Sequence, residues 1–324
     1  MSAGRARRLG SLVGGVLFVV VGLILAASLG TAFVATYLYP NVIYSAWRGP
    51  EIPPAGAPAR FQHVVFSDAH GARLAGWYGE GRGRRAGATI IVCHGWSADK
   101  RDLRGVAEAL QDSGYDVLSF DLHGWGESDR GAVTFGDREA ADILGAVHFV
   151  KELRPGSEDG IGLIGFSMGA AAAIRAATQT SDIDAVVADA SYARLDVQAG
   201  RFFRRLAGPA WPFVFAAARW FEERLTGTAI ETISPVDAIA AIAPRPVLII
   251  HGTRDRVIDV DDARRLYQAA GAPKSLWLIA GAGHGQTRRI APAQWDARVA
   301  GFFRDSIRRG VSRDQESGVP APHP

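Results

Sequence analysis

Gly160-Ile-Gly-Leu-Ile-Gly-Phe-Ser-Met-Gly-Ala-Ala-Ala-Ala-Ile-Arg-Ala-Ala177 decides how this chain is read. The first seven residues are short, apolar and glycine-punctuated, which fits a strand buried on both faces. The alanine-rich second half fits a helix. Between them Gly165-Phe-Ser-Met-Gly169 matches G-x-S-x-G. The pattern is weak alone, because Gly and Ser are common and an ordinary turn serine can cap a helix. Its position between a strand and a helix makes it informative. A serine there sits on a tight turn, where flanking glycines remove side chains that would clash. The helix beneath offers free N–H groups and positive potential to an anion. Ser167 is therefore the candidate nucleophile, and the Met168 backbone N–H a candidate oxyanion donor.

Outward from this stretch the chain alternates. Strands are expected at 88–93, 115–120, 160–166, 185–189, 246–251 and 275–279. Helices are expected near 100–113, 137–153, 168–178, 261–270 and 292–308. Such alternation predicts a mostly parallel sheet with helices on both faces, whose ligand crevice lies beyond the carboxyl ends of the strands. Before it, 61–67 and 73–78 read as an antiparallel hairpin at the sheet edge, turning at 68–71. The stretch 192–243 is too long for an ordinary connection. It carries Arg201-Phe-Phe-Arg-Arg, Trp211-Pro-Phe-Val-Phe and Arg219-Trp-Phe. It reads as a small helical lid, with a plain structural insertion as the alternative. Its basic, aromatic character also suits a membrane surface.

These features together resemble the α/β-hydrolase superfamily over roughly residues 61–308. In that family the triad runs Ser…Asp…His along the chain, and the resemblance assigns the other two members here. His284, in Ala280-Gly-Ala-Gly-His-Gly285 after the last strand, is the expected general base. Asp255, in His251-Gly-Thr-Arg-Asp-Arg-Val257, is the expected orienting acid, with Asp189 and Asp259 as alternatives. Cys93-His-Gly-Trp96 resembles the family's His-Gly-x turn, which makes the Trp96 N–H the second oxyanion donor. Trp96, Phe166, Trp125 and Trp211 are candidate pocket walls. Asp121-Leu-His-Gly-Trp-Gly-Glu-Ser128 resembles a structural D-x-R-G-x-G-x-S segment, with His123 where arginine is usual. That departure is expected to weaken a local ion pair. His94 and His251 are expected to shape loops.

The implied activity is hydrolysis of an ester or thioester through an acyl-enzyme, in the manner of a serine esterase or lipase-like hydrolase. A peptidase or amidase with the same residues, and a non-catalytic binding module on the same fold, are the alternatives. Serine at the elbow argues against dehalogenases and epoxide hydrolases of this fold, which use aspartate. No metal and no organic cofactor is implied.

Composition agrees with an ordinary folded domain: of 324 residues, 48% are hydrophobic and the formal charge is only +3. The charge is not gathered into a basic patch in the body of the chain, so no nucleic-acid partner is expected. The single cysteine, Cys93, lies in an apolar strand, which excludes an intramolecular disulfide and a cysteine metal site.

The first 40 residues are different. No charge interrupts 9–40, long enough to cross about 30 Å of hydrocarbon as a helix. Tyr37 and Tyr39 suit an interfacial belt. A signal peptide has a shorter apolar core, and a buried helix would precede its own domain here. Residues 1–40 are thus expected to be a single-pass anchor, 41–60 a Pro/Gly/Ala-rich linker, 61–309 the catalytic domain and 310–324 a disordered tail. Arg5, Arg7 and Arg8 before the span predict a cytoplasmic N-terminus with the catalytic domain outside. The expected partners are the membrane and a small-molecule or lipid-like ester.

Overall fold

The computed structural model describes residues 3–34, 38, 59–83, 87–153 and 159–316. Among these, eight strands form one sheet: β1 (Gln62–Ser67), β2 (Arg73–Gly79), β3 (Ala88–Cys93), β4 (Asp116–Phe120), β5 (Gly160–Phe166), β6 (Ala185–Asp189), β7 (Val247–Gly252) and β8 (Lys274–Ile279). Their order is β1-β2-β4-β3-β5-β6-β7-β8. β1 and β2 pair antiparallel, with Gln62 opposite Tyr78, and β2 joins β4 antiparallel. All pairings from β4 to β8 are parallel. The expected edge hairpin and parallel sheet are both present.

The continuous apolar runs have a simple cause. Alternate residues of a strand face opposite sides, and here both sides are covered. Ile91, Cys93 and Leu163 join one core, with helices α3 (Arg138–Leu153), α4 (Met168–Ala177) and α8 (Val260–Ala269). Ile90, Val92 and Ile164 join the other, with α2 (Arg104–Asp112) and α10 (Pro292–Glu316). Cys93 is fully buried, and burial pushes its thiol pKa up, so it is no nucleophile.

α10 runs past the expected end at 308. It reaches Glu316, and the first proline after Pro292 comes only at Pro320. Residues 317–324 and the linker residues 41–58 lie outside the described residues.

The stretch 192–243 is helical. It contains α5 (Leu195–Ala207), α6 (Trp211–Thr226) and the short α7 (Pro235–Ala238). Leu195, Ile230 and Ile233 bury against Tyr192, Ala171 and Ile258. Polar contacts tie α5 to the loop after β7 and to α8: Gln198 Nε2 donates to Val257 O at 2.8 Å, and Arg201 pairs with Asp262 at 2.6 Å. α9 (Thr287–Ile290) precedes α10.

The N-terminal helix α1 (Ala3–Phe33) contains one apolar stretch, Leu12–Thr31, of 20 residues with mean hydropathy 2.7. It is long enough to cross a membrane, and a signal sequence would also satisfy that description. Most of its described side chains are exposed, while Ser28 is fully buried and Ile24, Leu29 and Thr31 are half-buried. α1 packs along α6. Ser28 and Thr31 hydroxyls donate to the carbonyls of Ile24 and Ala27, so these polar groups are satisfied within the helix.

The 121–128 segment is a buried polar knot. Lys100 Nζ bonds Asp121 at 2.7 Å and Glu127 at 2.8 Å, and Ser128 Oγ donates to Asp121 O while accepting from Ala75 N. His123 departs from expectation. Its Nδ1 lies 2.7 Å from Asp142 Oδ2, and its Nε2 donates to Ala132 O. Burial opposes its charge, but the Asp142 hydrogen bond and the Asp142 and Glu139 carboxylates outweigh burial and raise its pKa to about 9. His123 thus keeps a buried polar contact where the missing arginine was expected to weaken one, and burial raises the Asp142 pKa as well.

Candidate active site

Ser167 stands between β5 and α4 with φ 54° and ψ −116°, a conformation that non-glycine residues rarely adopt. Such backbone persists only where surrounding structure holds it. Here the hold is the close approach of three segments. A Cβ on Gly165 would meet Gly169 O at 2.2 Å, and one on Gly169 would meet His94 O at 2.3 Å. Both glycines are thus required by space. Ser167 N donates to Asp189 O at 2.8 Å, which pins the turn to β6.

The hydroxyl faces His284. Ser167 Oγ lies 3.1 Å from His284 Nε2, and His284 Nδ1 lies 2.7 Å from Asp255 Oδ2. The side chain of Asp255 is fully buried, while that of His284 is about a quarter exposed. Burial opposes ionisation of Asp255, but the His284 hydrogen bond and charge and the N–H groups of Ile258 and Val257 outweigh it, and the pKa is lowered. The N–H groups reach Oδ1 at 3.0 and 2.8 Å. An ionised carboxylate so placed makes Nδ1 the protonated nitrogen of His284 and leaves Nε2 to accept the serine proton. His251 lies beneath, its Nε2 donating to Ile258 O at 3.1 Å. Burial is the main cause of its lowered pKa.

The alternative acids do other things. Asp259 caps α8 through Asp261 N. Asp189 is fully buried and accepts from Thr287 Oγ1 at 2.6 Å and Trp295 Nε1 at 3.3 Å. Burial drives its pKa up to about 7, with the Thr287 and Trp295 hydrogen bonds acting against the shift. Asp189 thereby ties the histidine loop to β6.

The turn after β3 closes the other side. A Cβ on Gly95 would lie 3.1 Å from Ser167 Cβ, so this turn abuts the serine. His94 is fully buried. Its Nδ1 donates to Gly95 O at 2.8 Å and its Nε2 accepts from Leu122 N at 3.0 Å. Both expected oxyanion donors flank Ser167 in the chain fold: Met168 opens α4, where N–H groups have no carbonyl a turn behind them, and Trp96 follows Gly95.

Of the four expected pocket walls, Trp96 is 39% exposed beside the serine turn. The other three make different contacts. Trp125 is fully buried behind Trp96, edge-on to it at 6.1 Å. Phe166 stacks on Trp295 at 6.1 Å, beneath the site, because its position in β5 points it to the α10 face. Trp211 packs within the 192–243 insertion, against Phe215 and under the Arg204 guanidinium. Phe135, which the sequence reading passed over, stacks on Trp96 at 6.4 Å; it lies in a loop with no periodicity to mark it. Among the described residues no cluster of three or more His, Cys, Asp or Glu side chains could hold a metal ion.

The sheet order and a serine on the β5–α4 turn define a hydrolase of the α/β type, and residues 90–301 match the alpha/beta hydrolase family. The chain belongs to that family. It is 31% identical over 199 residues to the uncharacterized protein YqkD of Bacillus subtilis, a match spanning 60% of this chain and 64% of that protein's length. It is 29% identical over 280 residues to Rv2307c of Mycobacterium tuberculosis, covering 83% of this chain and 85% of that one. Among solved structures, the Pyrococcus furiosus esterase Pf2001 superposes with a TM-score of 0.65 at 28% identity, covering 80% of this chain and 96% of that one.

Proposed function

We propose that this hydrolase cleaves carboxylic ester or thioester bonds through an acyl-enzyme on Ser167. The observation that carries the reading is the continuous Ser167–His284–Asp255 hydrogen-bond relay at 3.1 and 2.7 Å. His284 takes the hydroxyl proton as the serine attacks the carbonyl, then delivers it to the leaving group. Asp255 holds the imidazole and balances its charge. The N–H groups of Trp96 and Met168 stabilise the oxyanion. Water, activated by His284, then releases the acid. The likeness to an esterase supports ester chemistry over amide chemistry.

The domain reading belongs to the same proposal. α1 spans the membrane, 41–60 links it to the catalytic domain at 61–309, and the 192–243 insertion is the lid. The N-terminus is cytoplasmic, the catalytic domain lies outside, and the substrate is a small or lipid-like ester.

A fluorophosphonate probe tests the chemistry on detergent-extracted protein. Wild type should label and Ser167→Ala should not; equal labelling would reject the nucleophile. A panel of p-nitrophenyl esters beside aminoacyl anilides then reads the bond type.

A further inference from the structure

The lid carries a surface that the proposed chemistry does not use. On α6, Phe213 is 71% and Trp220 56% exposed, and on α5 Phe202 and Leu206 are 54% and 58% exposed. Phe213, Trp220 and Arg224 recur at i, i+7 and i+11, so they form one stripe along α6. The opposite stripe, Val214, Ala218 and Glu222, is buried. The exposed stripe is bordered by cations. Arg224 lies over the Trp220 ring at 5.6 Å and Arg204 over Trp211 at 4.8 Å. Arg204, Arg205 and Arg224 have no carboxylate partner among the described residues.

The position of α6 says what covers this stripe. Leu12–Thr31 rises about 30 Å, the full hydrocarbon thickness. Burial within it is confined to Ile24, Ser28, Leu29 and Thr31, its last two turns, and the helix packed along α1 is α6. The segment from Ile24 to Thr31 occupies about the last 10 Å of the span. A helix lying against it sits at the depth where interfacial amphipathic helices bury their apolar face, about 5–10 Å into the headgroup and acyl boundary.

We infer that the lid helices rest in the headgroup layer of the bilayer that α1 crosses, with Phe213 and Trp220 among the acyl chains and Arg204, Arg205 and Arg224 on anionic phosphates. The partner is an anionic phospholipid surface. The inference rests on the membrane-span reading of α1 and is independent of the serine chemistry.

The test uses the full chain in vesicles of phosphatidylcholine mixed with phosphatidylglycerol. Cys93 is fully buried, so a nitrobenzoxadiazole maleimide reports an introduced cysteine. One probe goes at Phe213→Cys. The other goes at Glu152→Cys, exposed at the end of α3, which packs on β1 at the far edge of the sheet. Spin-labelled lipid should quench the first at least about threefold more strongly than the second. Arg204→Glu with Arg205→Glu and Arg224→Glu, or vesicles of phosphatidylcholine alone, should reduce that ratio. Fluorophosphonate labelling of each variant reports an intact site. Equal quenching at both positions overturns the inference. A blue-shifted probe at 213 that lipid spin labels do not quench also overturns it, since a protein surface then covers the stripe. An alkaline carbonate wash separates the causes: a chain that stays in the pellet with equal quenching refutes only the lid contact, whereas a chain that washes off refutes the span as well.

Discussion

Replacing His94 by alanine should slow ester turnover far more than it weakens substrate binding. The reason lies in one peptide unit. Because a trans peptide is planar, the Gly95 carbonyl and the Trp96 N–H point in opposite directions. His94 Nδ1 holds that carbonyl at 2.8 Å, and Leu122 N holds the ring from the other side at 3.0 Å. Fixing the carbonyl therefore aims the N–H that we assign to the oxyanion. Complete loss of such a donor costs about 3–4 kcal/mol, or 10²–10³ in kcat. The mutant keeps the donor but loses its aim, so a fall of about 30- to 300-fold is expected, with KM changed by no more than about twofold. Two buried backbone groups also lose their partner, at about 1–3 kcal/mol each, so the fold should lose about 2–6 kcal/mol. The assay is steady-state hydrolysis of a short p-nitrophenyl ester, beside the rate of fluorophosphonate labelling, which uses the same oxyanion site. Thermal unfolding confirms that the variant is folded. A folded His94→Ala protein with kcat within about threefold of wild type would refute the positioning argument.

Other outcomes follow from the same geometry. Asp255→Asn should lower kcat by about 10⁴-fold, because an amide can donate to Nδ1 and select the wrong imidazole tautomer; a loss below tenfold would point to another acid. Trp96→Ala should cost much less activity than Ser167→Ala, since the backbone N–H survives; equal losses in ester turnover would contradict this. Gly169→Ala places a Cβ 2.3 Å from His94 O and 2.6 Å from Cys93 O. Both are backbone atoms, so soluble yield should collapse rather than activity alone. His123 gives a pH signature. Its unfolded pKa is about 6.5 and its folded pKa about 9, so the folded state holds more protons between them. That stability is complete below 6.5 and lost as pH rises through 9. Thermal unfolding at both ends of the window should show His123→Gln losing less than wild type; parallel losses would sink the assignment.

Much of the fold is legible in the residues because burial on two faces leaves strands as unbroken apolar runs. Ile90–Ile91–Val92 and Leu163–Ile164 could be placed without any partner in view. The three side chains of the relay are also legible, since each stands in a loop or turn past a strand end, with a glycine within three residues. The pocket walls were not. Trp125, Phe166 and Trp211 are aromatic and near the right loops in sequence, but orientation depends on strand register and helix phase. Phe166 turns to Trp295 for that reason, and Trp211 to Phe215. His123 misled in a different way: whether a histidine holds charge depends on carboxylates 19 and 16 residues away, Asp142 and Glu139, meeting it in space. The packing of α1 on α6 is a contact across nearly two hundred residues, and no local pattern announces it.

The left-handed backbone at Ser167 has a further bearing on how turnover must proceed. Its torsions are held where carbonyls crowd both flanking glycines, so in the proposed acyl-enzyme cycle the oxygen would stay aimed in both steps. Adjustment between the two steps then falls to the imidazole, which hangs from a glycine-lined loop with its outer edge open to solvent. The tempo of the cycle would be governed by that hinge, and stiffening residues 281–285 should slow the enzyme without moving its nucleophile.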